Sequence, residues 1–411
     1  MAPVTKIDLK DDKNNKFRLA AALLFLVIGA GLLAYAFTAL LNGNSGWTEI
    51  KADSASELNC SEDFVFLYEL GAGDTSATAE NKAIRILYTD AVEKAYQLFN
   101  NDQSFDGVNN VYYINQHPNE VIEVDPVLYN AFSLVEQYGE RRIYLGPVYE
   151  VYDNIFYCTE DSQTADYDPE QNDDISEFCE QVAEYAGTEE CIGIELLGEN
   201  KLKLVISPEY KQYLDAEGVT EYVDFYWMKN AFIVDYLADV MVDAGYIHGS
   251  ISSHDGFVRN LDDREIGYSF NLFDGVDNTV YEAGSMNYTG AISLVSLRSY
   301  PLNAIDSKYY YEFQDGEIRT AYLDMADARC KSARNNLVTY SRTEGCAEVL
   351  LQTIPLYVTD EWNADAVAEL AERDVHSIYS EDYTFYYNDS DITITNLYGK
   401  ENVTYKAIFL R

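Results

Sequence analysis

Few side chains in this sequence are equipped for chemistry, and their spacing narrows the choice. Of the four histidines, His248 and His254 flank a Ser-rich turn, with Asp255 beside the second. That grouping could move protons to and from a bound substrate, although two histidines across a turn are more commonly surface residues. His117 and His376 have no supporting neighbours in the sequence. Lys229 stands at the opening of a predicted helix, where backbone N–H groups and the helix dipole favour an anion such as phosphate. In so acidic a chain a lone lysine is more commonly an ion-pair partner. The six cysteines, Cys60, Cys158, Cys179, Cys191, Cys330 and Cys346, form no CxxC pair and no Cys/His cluster with zinc spacing. There is no GxSxG, P-loop, HExxH or dinucleotide fingerprint.

The elements that must position these residues begin with a membrane signal. Residues 19–41, LAAALLFLVIGAGLLAYAFTALL, run 23 residues without a charge. At about 1.5 Å per helical residue they span a ~30 Å hydrocarbon core. Lys6, Lys10, Lys13, Lys16 and Arg18 precede them, so the positive-inside rule predicts a cytoplasmic tail at 1–18 and everything after residue 41 outside the cell. The rival reading, a signal peptide cut near Ala34-Tyr35-Ala36, requires an apolar stretch shorter than this one. A juxtamembrane linker is assigned to 42–59 and one extracytoplasmic domain to 60–411.

Five of the 28 basic and three of the 70 acidic residues lie in 1–41, which leaves a net charge of −44 beyond it. Such a surface repels nucleic acid and anionic lipid, so a nucleic-acid role is excluded. The 36 tyrosines and 18 phenylalanines are enough for a folded core rather than an acidic tail. An even cysteine count in an exported domain predicts disulfides, with Cys330–Cys346 and two of Cys158, Cys179 and Cys191 as the preferred pairs among fifteen connectivities.

Periodicity predicts strands at 63–68, 120–124, 291–297, 309–313, 336–340 and 391–396, a strand-and-turn stretch at 246–258, and a hairpin of 193–197 with 201–206 about Gly198-Glu199-Asn200. Helices are predicted at 89–100, capped by Thr89 or Asp90, then at 125–138 with Asp125 as N-cap and Pro126 at N1, and at 230–244, 347–356 and 364–373. Residues 160–174 (EDSQTADYDPEQNDD) read as a polar surface loop. Strands and helices mix without βαβ alternation, so the fold class is α+β.

In this order the segments resemble the ApbE-type FAD:protein FMN transferases over roughly residues 60–400. Gly146-Pro147-Val148 sits where that family has its "tvGPl" turn. Residues 226–245 (YWMKNAFIVDYLADVMVDAG) resemble "GGIAKGYAVDRVAELLKAAG", keeping Lys229, Val234, Asp235 and Gly245. Gly249 to Gly256 replaces "nlGGni.a.G". Tyr309–Phe313, Asp315-Gly316 and Leu323-Asp324 follow the order of "Y.r.F…dG…HIiDP.TG", and 346–356 takes the place of "ADALSTALFV". The departures are specific. Gly249-Ser250 stands for a glycine pair, Ala321 for the motif His, and Glu348 for the metal-binding Asp. The position four residues on is Gln352, with Thr353 one residue late.

The resemblance implies an ApbE-like mixed sheet-and-helix domain that uses FAD and Mg²⁺. It implies Asp324 as a catalytic residue, Lys229, Gly249 and Ser250 as cofactor-binding residues, and Glu348 and Thr353 as metal ligands. Two functions follow as expectations. One is a membrane-anchored FMN transferase acting on Thr or Ser of an exported protein. The other is a catalytically degenerate cell-surface binding or interaction domain on the same fold.

Overall fold

A computed structural model describes residues 45–53, 63–72, 75–276, 279–302, 306–400 and 403–410. The predicted membrane segment at 19–41 and Cys60 lie outside them. Among the described residues no helix is long and apolar enough to cross a membrane. The chain divides into two units, one of Met1–Thr48 with Glu69–Ala83, the other of Glu49–Tyr68 with Ile84–Arg411. In the first, Ser76 accepts the Glu80 N–H through its carbonyl (2.9 Å), and the Glu80 carboxylate in turn accepts the Gly71 N–H (2.6 Å). This is where helix α1 (Ala77–Phe99) begins.

The second unit holds the main sheet. Its strands are β1 (Phe64–Leu70), β4 (Gly249–Ser253), β5 (Phe257–Asn260), β8 (Ile292–Arg298), β9 (Asn336–Ser341), β10 (His376–Glu381), β11 (Thr384–Tyr387) and β12 (Lys406–Phe409), neighbours in that order. Successive pairs are antiparallel from β1 to β11, and β12 closes the row parallel to β11. A hairpin of β2 (Ile192–Gly198) and β3 (Lys201–Ile206) forms a small sheet with Ile122–Glu123. Its turn residues Glu199 and Asn200 have φ of 51° and 58°, the left-handed pair of a tight hairpin. A long ribbon of β6 (Gly267–Val276) and β7 (Thr279–Thr289) has no counterpart among the predicted strands. Leu272, Ala283 and Met286 of this ribbon pack with Leu294, Val338, Ile378 and Phe385 of the main sheet.

Helix α2 (Pro126–Tyr138) starts as predicted, with Asp125 accepting the Val127 N–H. It is followed by α3 (Gly146–Tyr152), α4 (Asp173–Gly187), α5 (Pro208–Glu217), α6 (Lys229–Asp243), α7 (Cys346–Tyr357) and α8 (Ala364–Ala371). The α1 boundary is corrected: Thr89 is not a cap but lies mid-helix, its hydroxyl donating to the Arg85 carbonyl one turn back. Residues 160–174 are corrected too. They contain a helical turn at Asp161–Thr164 and the start of α4, capped by Asn172. Buried Asp168 there is clasped by Arg319 (3.1 Å), which brings an acidic segment inside.

Sequential aromatics build a core where α1, α2 and α6 meet. Phe99, Phe132 and Phe232 surround Phe225 at ring-centroid distances of 5.3, 5.1 and 5.1 Å. Helix α7 is apolar on almost every face and packs on α6, β8 and β9. The five described cysteines are free thiols, so the predicted disulfides do not form among them. The reason is local. Cys346 opens α7 with Sγ 3.2 Å from the Val258 carbonyl, whereas Cys330 lies beside Tyr152 of α3.

Candidate functional site

The turn into α6 gathers acidic, basic and phenolic side chains around one cavity. Asp224 is buried and its carboxylate accepts the Tyr226 N–H (2.8 Å), which bends the chain so that Tyr226 takes a φ of 44°. A bulky side chain rarely adopts that conformation. The Tyr226 ring then stacks on Tyr149 of α3 (4.4 Å), and its hydroxyl donates to Asp153 (2.6 Å). Tyr309 meets the same ring edge-on at 5.8 Å.

These residues line a cavity of about 290 Å³ together with Asp102, Glu150, Glu221, Lys229 and Lys308. Burial pushes the Glu221 carboxyl up, reinforced by the charge of Asp224 and opposed by the amide of Asn101, which donates to it at 2.8 Å. Burial also raises Asp224 and Asp153, against the pull of Lys229 and of the Tyr226 donors. Lys308 is already bound to Asp63 (2.9 Å).

A second cavity of about 460 Å³ lies beside the start of α7, lined by Phe99, Leu134, Phe232, Asp235, Asp239, Arg259, Glu344 and Glu348. Asp235 organises it. Its two carboxylate oxygens accept the Cys346 and Ala347 N–H groups (2.8 Å each), and one also binds Arg259 (2.7 Å). A Cβ on Gly345 would sit 2.5 Å from that carboxylate, so only glycine admits the approach.

The residues singled out in the sequence are dispersed. Lys229 lines the first cavity and Glu348 the second. The Glu348 carboxylate turns back to its own helix, accepting the Gly345 N–H (3.1 Å). Thr353 is fully buried, and its hydroxyl bonds the Val349 carbonyl and the Thr339 hydroxyl (2.7 Å each) in the core. Gln352 instead reaches Glu344. Asp324 lines neither cavity. It holds a turn, accepting the Ala326 N–H (3.0 Å) and pairing with Lys331 (3.1 Å), which Asp327 and Asp360 also bind. Gly249 and Ser250 lie within β4, opposite Tyr68 and Leu67. A Cβ at Gly249 would meet the Leu67 carbonyl at 2.3 Å, which accounts for the glycine by strand packing. Ala321, in the place of the family's His, is buried and donates its N–H to the Tyr309 carbonyl (3.2 Å). Among the described residues no group of three or more His, Cys, Asp or Glu is arranged to hold a metal ion.

Glu150, Asp153, Glu221 and Asp224 carry no role in the sequence reading, and Asp235 enters it only as a matched position of the helix motif. The available signal was an acid directly before an apolar run (Asp224 before FYWM), where solvation of the carboxylate is hard to achieve.

No known family profile matches the chain, and no curated protein matches it in sequence. Its structure is similar to solved ones. An ApbE protein from Thermotoga maritima superposes with a TM-score of 0.56 at 12% identity, over 81% of this chain and 94% of that one. The flavin transferase ApbE from Vibrio cholerae gives 0.54 at 12% identity, over 86% and 98%. The fold of this chain is the ApbE fold.

Proposed function

We propose that this chain is a membrane-anchored binding protein of the extracytoplasmic side, built on the ApbE fold and without Mg²⁺-dependent FMN transfer. The uncharged stretch at 19–41 behind its basic flank supports the anchor. The observation that carries the loss of transfer is the side-chain geometry of α7. A divalent cation needs oxygen ligands converging on one point. Here Glu348 is folded back on the helix start, and the Thr353 hydroxyl is turned into the core toward Thr339.

The residues do not fit FAD with Mg²⁺ in other respects either. The pyrophosphate of FAD requires cationic or N–H partners. Lys229 is flanked by Asp153 and Asp224, and the two N–H groups at the start of α7 are taken by Asp235. The position of the family's His is the methyl group of Ala321. No reaction step is therefore assigned to a flavin.

The test is calorimetric titration of FAD into the full chain in detergent, with and without Mg²⁺, followed by a gel assay for covalent FMN fluorescence on a Thr-containing acceptor. Absence of saturable heat and of labelled acceptor is the expected result. Micromolar, Mg²⁺-dependent FAD binding that weakens in Glu348→Ala would overturn the proposal.

A further inference from the structure

The first unit follows the predicted membrane span with very little chain between them. After Arg18 the next charge in the sequence is Glu49, so the uncharged run continues past residue 41 and through Trp47. Three residues, Asn42 to Asn44, separate Leu41 from Ser45, the first described residue. Four steps of at most ~3.6 Å hold Ser45 within about 14 Å of the end of the span. The headgroup layer on each side of a bilayer is itself about 5–8 Å deep. Gly46 then takes a φ of 112°, a bend that favours glycine, and the strand Gly46–Ile50 begins with Trp47 44% exposed. Ser45 lies against the turn at Gly71-Ala72, since a Cβ on Gly71 would stand 3.2 Å from the Ser45 Cβ. The exterior carries a net −44, yet among the described residues of this unit the only exposed charge is Lys82. Glu80 is buried with its carboxylate on the Gly71 N–H, and Glu69 is half-buried. Asp74 lies outside the described residues. Glu49, two residues beyond Trp47 and exposed like it, is paired with Lys51 (3.3 Å).

We propose that Trp47 and the Gly71-Ala72 turn rest in the headgroup layer of the bilayer, so that this unit lies on the membrane instead of hanging from a stalk. An indole suits that layer because its body is apolar and its N–H finds a polar partner there. Its face also attracts the quaternary ammonium of a choline headgroup. The surface it fits is zwitterionic, because the acidic exterior is repelled by anionic lipid. This partner rests on the reading of residues 19–41 as the anchor.

The experiment is tryptophan fluorescence of the full chain in phosphatidylcholine vesicles that contain lipid spin-labelled either at the headgroup or at the end of the acyl chain. The chain has three tryptophans, so the emission of Trp47 is read as the difference between wild type and Trp47→Phe. The headgroup label should quench most of that difference, whereas the chain-end label and aqueous iodide should quench little. Ala72→Trp, on the exposed turn, should add a second emission quenched in the same way, and it reads the surface even if Trp47→Phe folds poorly. Emission at both positions that iodide quenches and neither lipid label touches means a unit held in water, and overturns the inference. Emission at Trp47 shielded from iodide and from both labels means that protein, such as a second copy, covers it, and overturns it too. An alkaline carbonate wash of the same vesicles separates the two readings. Chain released by the wash sinks the anchor itself, whereas chain retained with Trp47 open to iodide sinks only the docking of this unit.

Discussion

Asp235→Ala should be among the most damaging single changes in the main unit. The carboxylate accepts two helix N–H groups and one guanidinium N–H at 2.7–2.8 Å, and both members of its ion pair are largely shielded, with side-chain exposures of 17% for Asp235 and 22% for Arg259. Loss of a helix cap alone costs ~1 kcal/mol. Leaving Arg259 without its partner adds part of the ~3–5 kcal/mol seen on breaking a fully buried pair, reduced here by residual solvent. Together they give about 3 kcal/mol, or a fall in Tm of about 6 °C at ~2 °C per kcal/mol for a domain of this size. Urea and thermal melts followed by far-UV circular dichroism measure it. Arg259→Met in the Asp235→Ala background should cost much less than it does alone, because the charge it removes is by then unpaired. A destabilisation below about 0.5 kcal/mol, the size of a neutral surface change, would refute the cap-and-pair argument.

Thr353→Ala removes the Thr339 hydrogen bond from the core and should cost about 1–2 kcal/mol in a urea melt. It should leave the response to Mg²⁺ unaltered, since its hydroxyl faces Thr339. Stability should also fall as pH rises from about 5 to 8. The folded-state carboxyls of Glu221, Asp224, Asp153 and Glu150 are raised, so the native state holds protons that the unfolded chain has released, and ionising them in place is unfavourable. The opposite slope should appear only in strong acid. Asp262, held down to about 2 by the donors of Arg264 and Tyr268, gives stability that is lost as pH drops from about 4 toward 2. A Tm that climbs steadily between pH 5 and 8 would contradict this assignment.

What the sequence disclosed was local. Asp125-Pro126 declares the start of α2 because cap and N1 proline are adjacent residues, and Glu199-Asn200 marks a hairpin because its turn needs residues that tolerate positive φ. The order of segments was enough to recognise the fold. What stayed hidden depends on partners far along the chain. Asp168 reads as a solvated acid until Arg319 reaches it from 151 residues away. The tyrosine-walled cavity depends on Tyr226 being turned by Asp224 into a conformation that no propensity predicts. Glu348 and Thr353 take their expected role from the resemblance to a helix motif alone, and the one-residue offset of the threonine decides which way its hydroxyl faces.

The order of strands in the main sheet also bears on how the protein is made. β1 pairs with β4, Phe64 with Ser253 and Tyr68 with Gly249, so roughly 180 residues separate the two. During synthesis β1, with Phe64, Phe66 and Tyr68 on its inward face, is finished long before the strand that covers it. Closing so long a loop is slow, and an apolar strand left waiting is prone to pair with a neighbouring chain. Any factor that shields a nascent segment has its most useful target here, in the interval between the completion of Leu70 and the emergence of Ser253.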